Sequence, residues 1–277
     1  MDRIKKYKMP IVLWIVFEIV AVGLWLSLEN IFYLFNFTYI GTSIALGLFL
    51  YISGYKYARR LVQLAVGLYM FVFLGIINRE NMQIEGFWYY LFSGTFQAAV
   101  IHYFVAKIAG PFVFGRGWCG YACWTAMVLD FLPYKTPQMP RRKGLGAFRF
   151  VMFAVSVLYV MFLFHFYFDD LEHIMFISFI VGNILYYVVG ILLAFVFKDN
   201  RAFCKYVCPI AVFLKPASYF SLFRVKVDEG TCMSCGKCKS VCPMNVDILD
   251  NSRKRENGTE CILCNECKKA CPTNSIK

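Results

Sequence analysis

The sequence predicts a mainly α protein in two parts. A polytopic helical membrane domain of about six spans, residues 1–223, precedes a small α+β cysteine-rich domain, residues 224–277. Three observations carry this expectation. Of the 277 residues, 60% are hydrophobic and 19% aromatic, with a mean hydropathy of +0.57, which no ordinary soluble domain tolerates. Basic residues gather in every second loop between apolar segments. Eight of the twelve cysteines fall after residue 231, at two repeats of one spacing.

A hydrocarbon core of about 30 Å takes roughly 20 helical residues. Six stretches meet that length: Met9–Leu28, Ile31–Gly54, Leu61–Ile77, Phe87–Lys107, Ala147–Phe168 and Ile174–Phe197. The third is the shortest. Only Glu29 and Asn30 separate the first two, so a helical hairpin is expected. The first segment is too long, and lacks the small-residue cleavage site, for a removable signal peptide.

Loop charge sets the expected sidedness. Arg3, Lys5, Lys6 and Lys8 precede the first span, and Lys56, Arg59 and Arg60 follow the second. Arg116, Lys135, Arg141, Arg142, Lys143 and Arg149 follow the fourth, with Asp130 the one acid among them. Lys198, Arg201 and Lys205 follow the sixth. The intervening loops hold a single Arg. Both termini and all twelve cysteines are therefore expected on the cytoplasmic side of a cytoplasmic (inner) membrane, where thiols stay reduced. The net charge of +12 is accounted for by this bias and by anionic lipid headgroups, so no nucleic-acid partner is called for. The Lys135–Arg149 stretch, with five basic residues and no acid, reads as a topogenic loop at the lipid surface or as a dock for an acidic partner.

The C-terminal runs read Cys232-x2-Cys235-x2-Cys238-x3-Cys242-Pro243 and Cys261-x2-Cys264-x2-Cys267-x3-Cys271-Pro272. A pair of zinc sites or four disulfides are the plainer readings, but zinc pairs give the compact third cysteine no role. The runs resemble the bacterial-type two-[4Fe-4S] ferredoxin pattern, in which the fourth cysteine of each run ligates the other cluster. That resemblance implies Cys232, Cys235, Cys238 and Cys271 around cluster one. It implies Cys261, Cys264, Cys267 and Cys242 around cluster two. Pro243 and Pro272 would turn the chain away after each crossing ligand. The polar Asn251–Gly258 stretch between the runs reads as a surface loop.

Two further pairs fall after the fourth and sixth apolar segments: Cys119-x3-Cys123 and Cys204-x3-Cys208. Each is preceded by an Arg and an aromatic residue and followed by an apolar run, with Ala126 matching Ala211. This is a weak internal repeat of span, C-x3-C and short helix. On a continuous helix, i and i+4 put two side chains on one face about 5–6 Å apart, too wide for one tetrahedral zinc. A third iron–sulfur cluster, a soft ion such as Cu(I), or a cycling thiol pair stand open, beside buried structural thiols.

Helices, two C-x3-C pairs and a C-terminal dicluster ferredoxin together resemble the NapH/NosR type of membrane polyferredoxin from about Phe87 to Lys277. The family pattern reads C-x3-C-P twice; here Cys208-Pro209 keeps it and Cys123 is followed by Trp124. The resemblance implies electron exchange between the membrane quinone pool and a partner redox protein.

Glu18 lies mid-span, where an ionisable group is costly and marks a functional site by default. It reads equally as an acceptor for a quinol proton or as a protonated carboxyl hydrogen-bonded to a neighbouring helix, with Gln63 and Gln97 as its partners or as separate interhelical bonds. Among the three histidines, His102 and His165 differ in depth by roughly 20 Å at the helical rise, so bis-histidine haem is disfavoured. The leading function is a membrane iron–sulfur relay between quinone and a redox protein, an electron-transfer subunit without a complete substrate reaction of its own. The rivals are an assembly factor that reduces a metal or thiol held at Cys119, Cys123, Cys204 and Cys208, and a redox sensor.

Overall fold

The computed structural model describes residues 2–96, 98–167, 170–253 and 256–277. Gln97, named above beside Glu18, lies outside them, as do Phe168 and Asp169 at the end of the fifth expected span. So do Lys254 and Arg255 of the expected surface loop, and the side chains of Arg3, Lys5 and Lys6.

Five helices among the described residues are long and apolar enough to cross a membrane. They are α1 (Asp2–Leu28), α2 (Ile31–Ile52), α3 (Ala58–Ile77) and two later ones over Leu145–Phe166 and Leu171–Phe197. Helices α1 and α2 form the expected hairpin. Glu29 takes φ 51 at the turn, and the Asn30 side chain caps α2 by accepting from the Phe32 amide.

Among the described residues the expected fourth span is not one long helix, so five helices rather than six meet the spanning length, and the return from α3 to Arg116 is made in two shorter pieces. These are α4 (Ile84–Phe92), nine residues long, and α5 (Ala99–Phe114). Gly94, at φ 70, ends the run between them. At 1.5 Å per residue α5 is about 24 Å long.

The link into α4 folds back into the protein. Asn81, Met82, Gln83 and Ile84 are all buried. The Asn81 amide donates to the Met175 carbonyl at 3.0 Å, and its oxygen accepts from the Gln83 amide at 3.0 Å. From there α4 runs along the Leu145–Phe166 span: Trp88 donates to Ser156 at 3.1 Å, and Phe92 lies 6.2 Å from Phe164. Irregular backbone at membrane depth persists only where protein covers it, and here it is covered.

The basic stretches meet at one end of the helices. Tyr7 bonds Ser53, Arg59 pairs with Asp130, and Arg201 pairs with the same Asp130. Here lie α6 (Gly117–Tyr121) and α7 (Trp124–Leu129), then α8 (Phe148–Phe166), α9 (Leu171–Phe197), α10 (Ala202–Tyr206) and α11 (Ala211–Tyr219). The cysteine-rich C-terminal part packs on this end.

That part is not α+β. It holds α12 (Lys237–Ser240), α13 (Glu266–Ala270) and, among the described residues, no strand. Pairing is confined to one antiparallel bridge, Val227 with Ile276, because the turn after Cys271 (Asn274 at φ 53) leaves only Ser275–Lys277 to pair. The described residues of the Asn251–Gly258 stretch are irregular before Gly258, and Arg253 bonds the Tyr219 and Ser221 carbonyls.

Candidate functional site

Each C-x3-C pair begins on a short helix and leaves it. Cys119 lies in α6 and Cys123 beyond its end, in extended backbone that starts α7. Cys204 lies in α10 and Cys208 beyond it. The expected i, i+4 geometry on one helix face therefore does not hold. The helices stop after Tyr121 and Tyr206, freeing the second thiol to turn toward the first.

The two pairs converge. Burial pushes the Cys204 thiol up to about 12, against the pull of Arg201, and the charges of Cys208, Cys123 and Cys119 add to the rise. Burial likewise raises Cys208 to about 11, with Cys119 and Cys123 adding and Arg116 opposing. Burial and the Cys119 charge raise Cys123, and Lys107 opposes. Among the described residues no three donors close on a point where a single metal ion would sit. The four thiols share electrostatic reach.

Two arginines tie the pairs reciprocally. Arg116, three residues before Cys119, donates to the Cys204 carbonyl at 3.4 Å. Arg201, three residues before Cys204, donates to the Cys119 carbonyl at 2.9 Å. Asp130 holds Arg201 with two bonds of 2.7 Å and Arg59 with one of 3.0 Å. Lys107 lies in a π-helical stretch of α5, a distortion common at functional sites. Its ammonium is 4.4 Å from the centre of the Trp118 ring. Arg116, Arg201, Lys107, Arg149 and Lys205 are all buried. The sequence offers the Arg before each pair as a signal, but these residues read equally well as topogenic charge.

Glu260, fully buried, is the acid that the Lys135–Arg149 stretch finds. It pairs with Arg116, with Arg141 and Arg149 at 3.0 Å each, and with Lys215 at 3.3 Å. It directly precedes Cys261. Next to it, a Cβ on Gly120 would stand 2.4 Å from the Ile262 carbonyl, so only glycine lets the two backbones meet. Tyr121 donates to the Leu263 carbonyl at 2.9 Å. Lys205 bonds Asp199 at 2.7 Å and reaches Asn245, just past Cys242. Cys119 packs in one core with Cys242, Ile262, Cys264 and Cys267.

The eight C-terminal cysteines gather in two sets. Cys232, Cys235, Cys238 and Cys271 line one small cavity. Burial raises Cys264 to about 11 and Cys267 to about 12, and in both the charges of Cys242 and Cys261 add to the rise. Backbone amides face the sulfurs: Ser234 to Cys232 and Val246 to Cys242, each at 3.4 Å. Soft donors in fours, with amides pointing at sulfur, fit iron–sulfur cubanes, whose potentials such contacts tune.

Other expected residues fall apart from this site. Glu18 accepts from Thr38 at 2.9 Å, and Gln63 faces Arg59 instead. His102 is buried against Trp118, with ring centres 4.7 Å apart, while His165 and His173 are exposed. Missed by the sequence reading were Glu80, Gln83 and Glu85, which each keep a buried polar side-chain atom without a hydrogen-bond partner, as Glu18 does.

The family described as 4Fe-4S dicluster domain matches residues 231–276. The family described as 4Fe-4S binding domain matches residues 97–143 and 180–228, the two C-x3-C segments. An uncharacterized protein of Methanocaldococcus jannaschii is 25% identical over 65% of this chain and 73% of its own. YccM of Escherichia coli, whose name assigns it to electron transport, is 31% identical over 18% of this chain and 14% of its own. The methylamine utilization ferredoxin-type protein MauN of Paracoccus denitrificans is 40% identical over 17% of each chain. No solved structure matches the chain. With five apolar helices long enough to span and 4Fe–4S ferredoxin-type segments over both cysteine regions, the chain has the build of a multi-pass membrane iron–sulfur protein.

Proposed function

We propose that the chain relays electrons between the membrane quinone pool and a partner redox protein, as its resemblance to NapH/NosR-type polyferredoxins implies. A helical membrane domain, residues 1–223, carries a ferredoxin domain, residues 224–277. Cys232, Cys235, Cys238 and Cys271 hold one [4Fe-4S] cluster, and Cys261, Cys264, Cys267 and Cys242 the other. Cys119, Cys123, Cys204 and Cys208 hold a third centre. When bound, such clusters carry electrons singly.

The observation that carries this reading is the reciprocal arginine pairing, which holds four thiols together against the segment bearing Cys242 and Cys261–Cys267. Four soft thiolate donors within electrostatic reach of one another fit an iron–sulfur cubane, which takes one Cys ligand per iron. The buried cations around them outnumber Asp130, Asp199 and Glu260. Buried charge left uncompensated is very costly, and thiolates held deprotonated by a metal would supply the missing negative charge.

The gathering of the basic stretches at the ferredoxin end supports cytoplasmic termini under the positive-inside rule. For the quinone end, Glu80 and Glu85, each with a buried oxygen lacking a partner as in Glu18, stand beside Glu18 as candidate proton acceptors by chemistry, not by contact.

The test is iron and acid-labile sulfide per chain on anaerobically purified protein, with EPR after addition of a quinol. About twelve irons, falling by about four in a Cys119→Ser/Cys204→Ser variant, is the expected result. About eight irons, unchanged in that variant, would overturn the third cluster and turn the helix-end thiols toward the metal-reducing assembly role.

A further inference from the structure

The two C-terminal runs repeat one motif, yet the residues between their first two cysteines meet opposite surroundings. In the second run Ile262 is 2% exposed, its carbonyl under Gly120, and Leu263 accepts from Tyr121. Their counterparts in the first run are Met233, 62% exposed, and the exposed Ser234. The loops share one backbone shape: Leu263 has φ 51 and Ser234 φ 52. Cys235 is exposed where its counterpart Cys264 is buried. One loop is thus seated on the membrane part, and its structural twin faces outward.

We propose that the Cys232–Cys235 loop is the docking surface for a soluble one-electron redox protein. The carrier would cover Met233 and Ser234 as Gly120 and Tyr121 cover Ile262 and Leu263. The proposal rests on the iron–sulfur reading above. Three features select this occupant. The loop carries the exposed cysteine of a ligand set, so a partner seated there comes as near to a redox centre as the surface allows. Its tip is a methionine, a flexible side chain that adapts to varied partner surfaces. The loop is four residues long, and electron-exchange contacts are small. Each docking event moves one electron between carrier and ferredoxin domain; no bond forms or breaks, and no proton is transferred.

The full-length protein in detergent tests this by EPR with a soluble dysprosium chelate, which speeds relaxation of paramagnets near the surface. Signals are assigned from Cys235→Ala and Cys264→Ala variants. The chelate is expected to act on the signal lost in Cys235→Ala and to leave the one lost in Cys264→Ala nearly unchanged. In parallel, Met233→Ser is expected to slow oxidation of the reduced protein by a soluble bacterial ferredoxin about fivefold. Iron content and oxidation by a small quinoid dye should stay unchanged in that variant.

Equal ferredoxin rates, or a chelate effect as large on the Cys264-dependent signal, would overturn the proposal. So would a fall in particle mass from dimer to monomer in Met233→Ser, which makes a second copy the occupant. Should Met233→Ser shed iron, the dysprosium measurement decides alone, since it needs no change at Met233. Fewer than about eight irons in the unsubstituted protein would instead sink the iron–sulfur reading itself.

Discussion

Arg201 donates to the carbonyl of Cys119 at 2.9 Å, 82 residues back along the chain. Arg116 returns the bond to the carbonyl of Cys204. Each arginine clamps the cysteine pair that is not its own, and each is held by a carboxylate. Asp130, which holds Arg201, comes from the membrane part. Glu260, which holds Arg116, comes from the ferredoxin part. The four-cysteine site is therefore complete only with the ferredoxin part in place.

Glu260→Gln should loosen that docking. The variant leaves Arg116, Arg141, Arg149 and Lys215 without their shared carboxylate. Breaking a buried ion pair from one side costs about 3–5 kcal/mol. Thermal melting in detergent should fall by several degrees, and trypsin should release the ferredoxin part faster. Melting and cleavage indistinguishable from the unsubstituted protein would remove Glu260 as the latch.

Asp130 sets a pH dependence. Burial pushes its carboxyl up, but the Arg201 and Arg59 guanidiniums pull harder, and the group titrates below its ordinary value. A depressed folded value means that the clamp contributes fully above the unfolded carboxylate value of about 3.9. Its contribution fades as pH falls through the lower folded value. Asp130→Asn should therefore destabilise at neutral pH by about 3–5 kcal/mol. The gap in melting temperature to the unsubstituted protein should hold from pH 7 to about 5 and narrow only below about 4. A gap that closes above pH 5 would show that another group carries the clamp.

Asn81 anchors the fold-back before α4 through two bonds of 3.0 Å, to the Met175 carbonyl and from the Gln83 amide. Asn81→Leu leaves the Gln83 amide buried without its acceptor, at a cost of about 1–3 kcal/mol, and removes the side-chain bond to the Met175 carbonyl. Hydrogen exchange over residues 78–92 should quicken while α9 stays protected. Unchanged exchange there would mean that packing alone holds the segment.

The apolar stretches declared five spans by themselves, because a hydrocarbon core demands about twenty residues of one character whatever surrounds them. The fourth stretch passed the same test of composition but forms no single helix of that length in three dimensions. Its aromatic residues, Phe87 through Phe96, keep the window apolar, while Gly94 breaks the helix and Asn81–Ile84 fold back under cover of neighbouring helices. The C-terminal cysteine runs were legible from their spacing alone, and folding brings Cys271 to the cavity lined by Cys232, Cys235 and Cys238. The α+β expectation failed where pairing reduced to one bridge. The arginines were legible only as charge. A linear sequence counts Arg116, Arg149 and Arg201 alike whether they lie in water against lipid headgroups or buried on a carboxylate. Which of the two it is depends on Glu260 and Asp130 arriving from distant points of the chain, and only the packing of the ferredoxin part onto the membrane helices decides that.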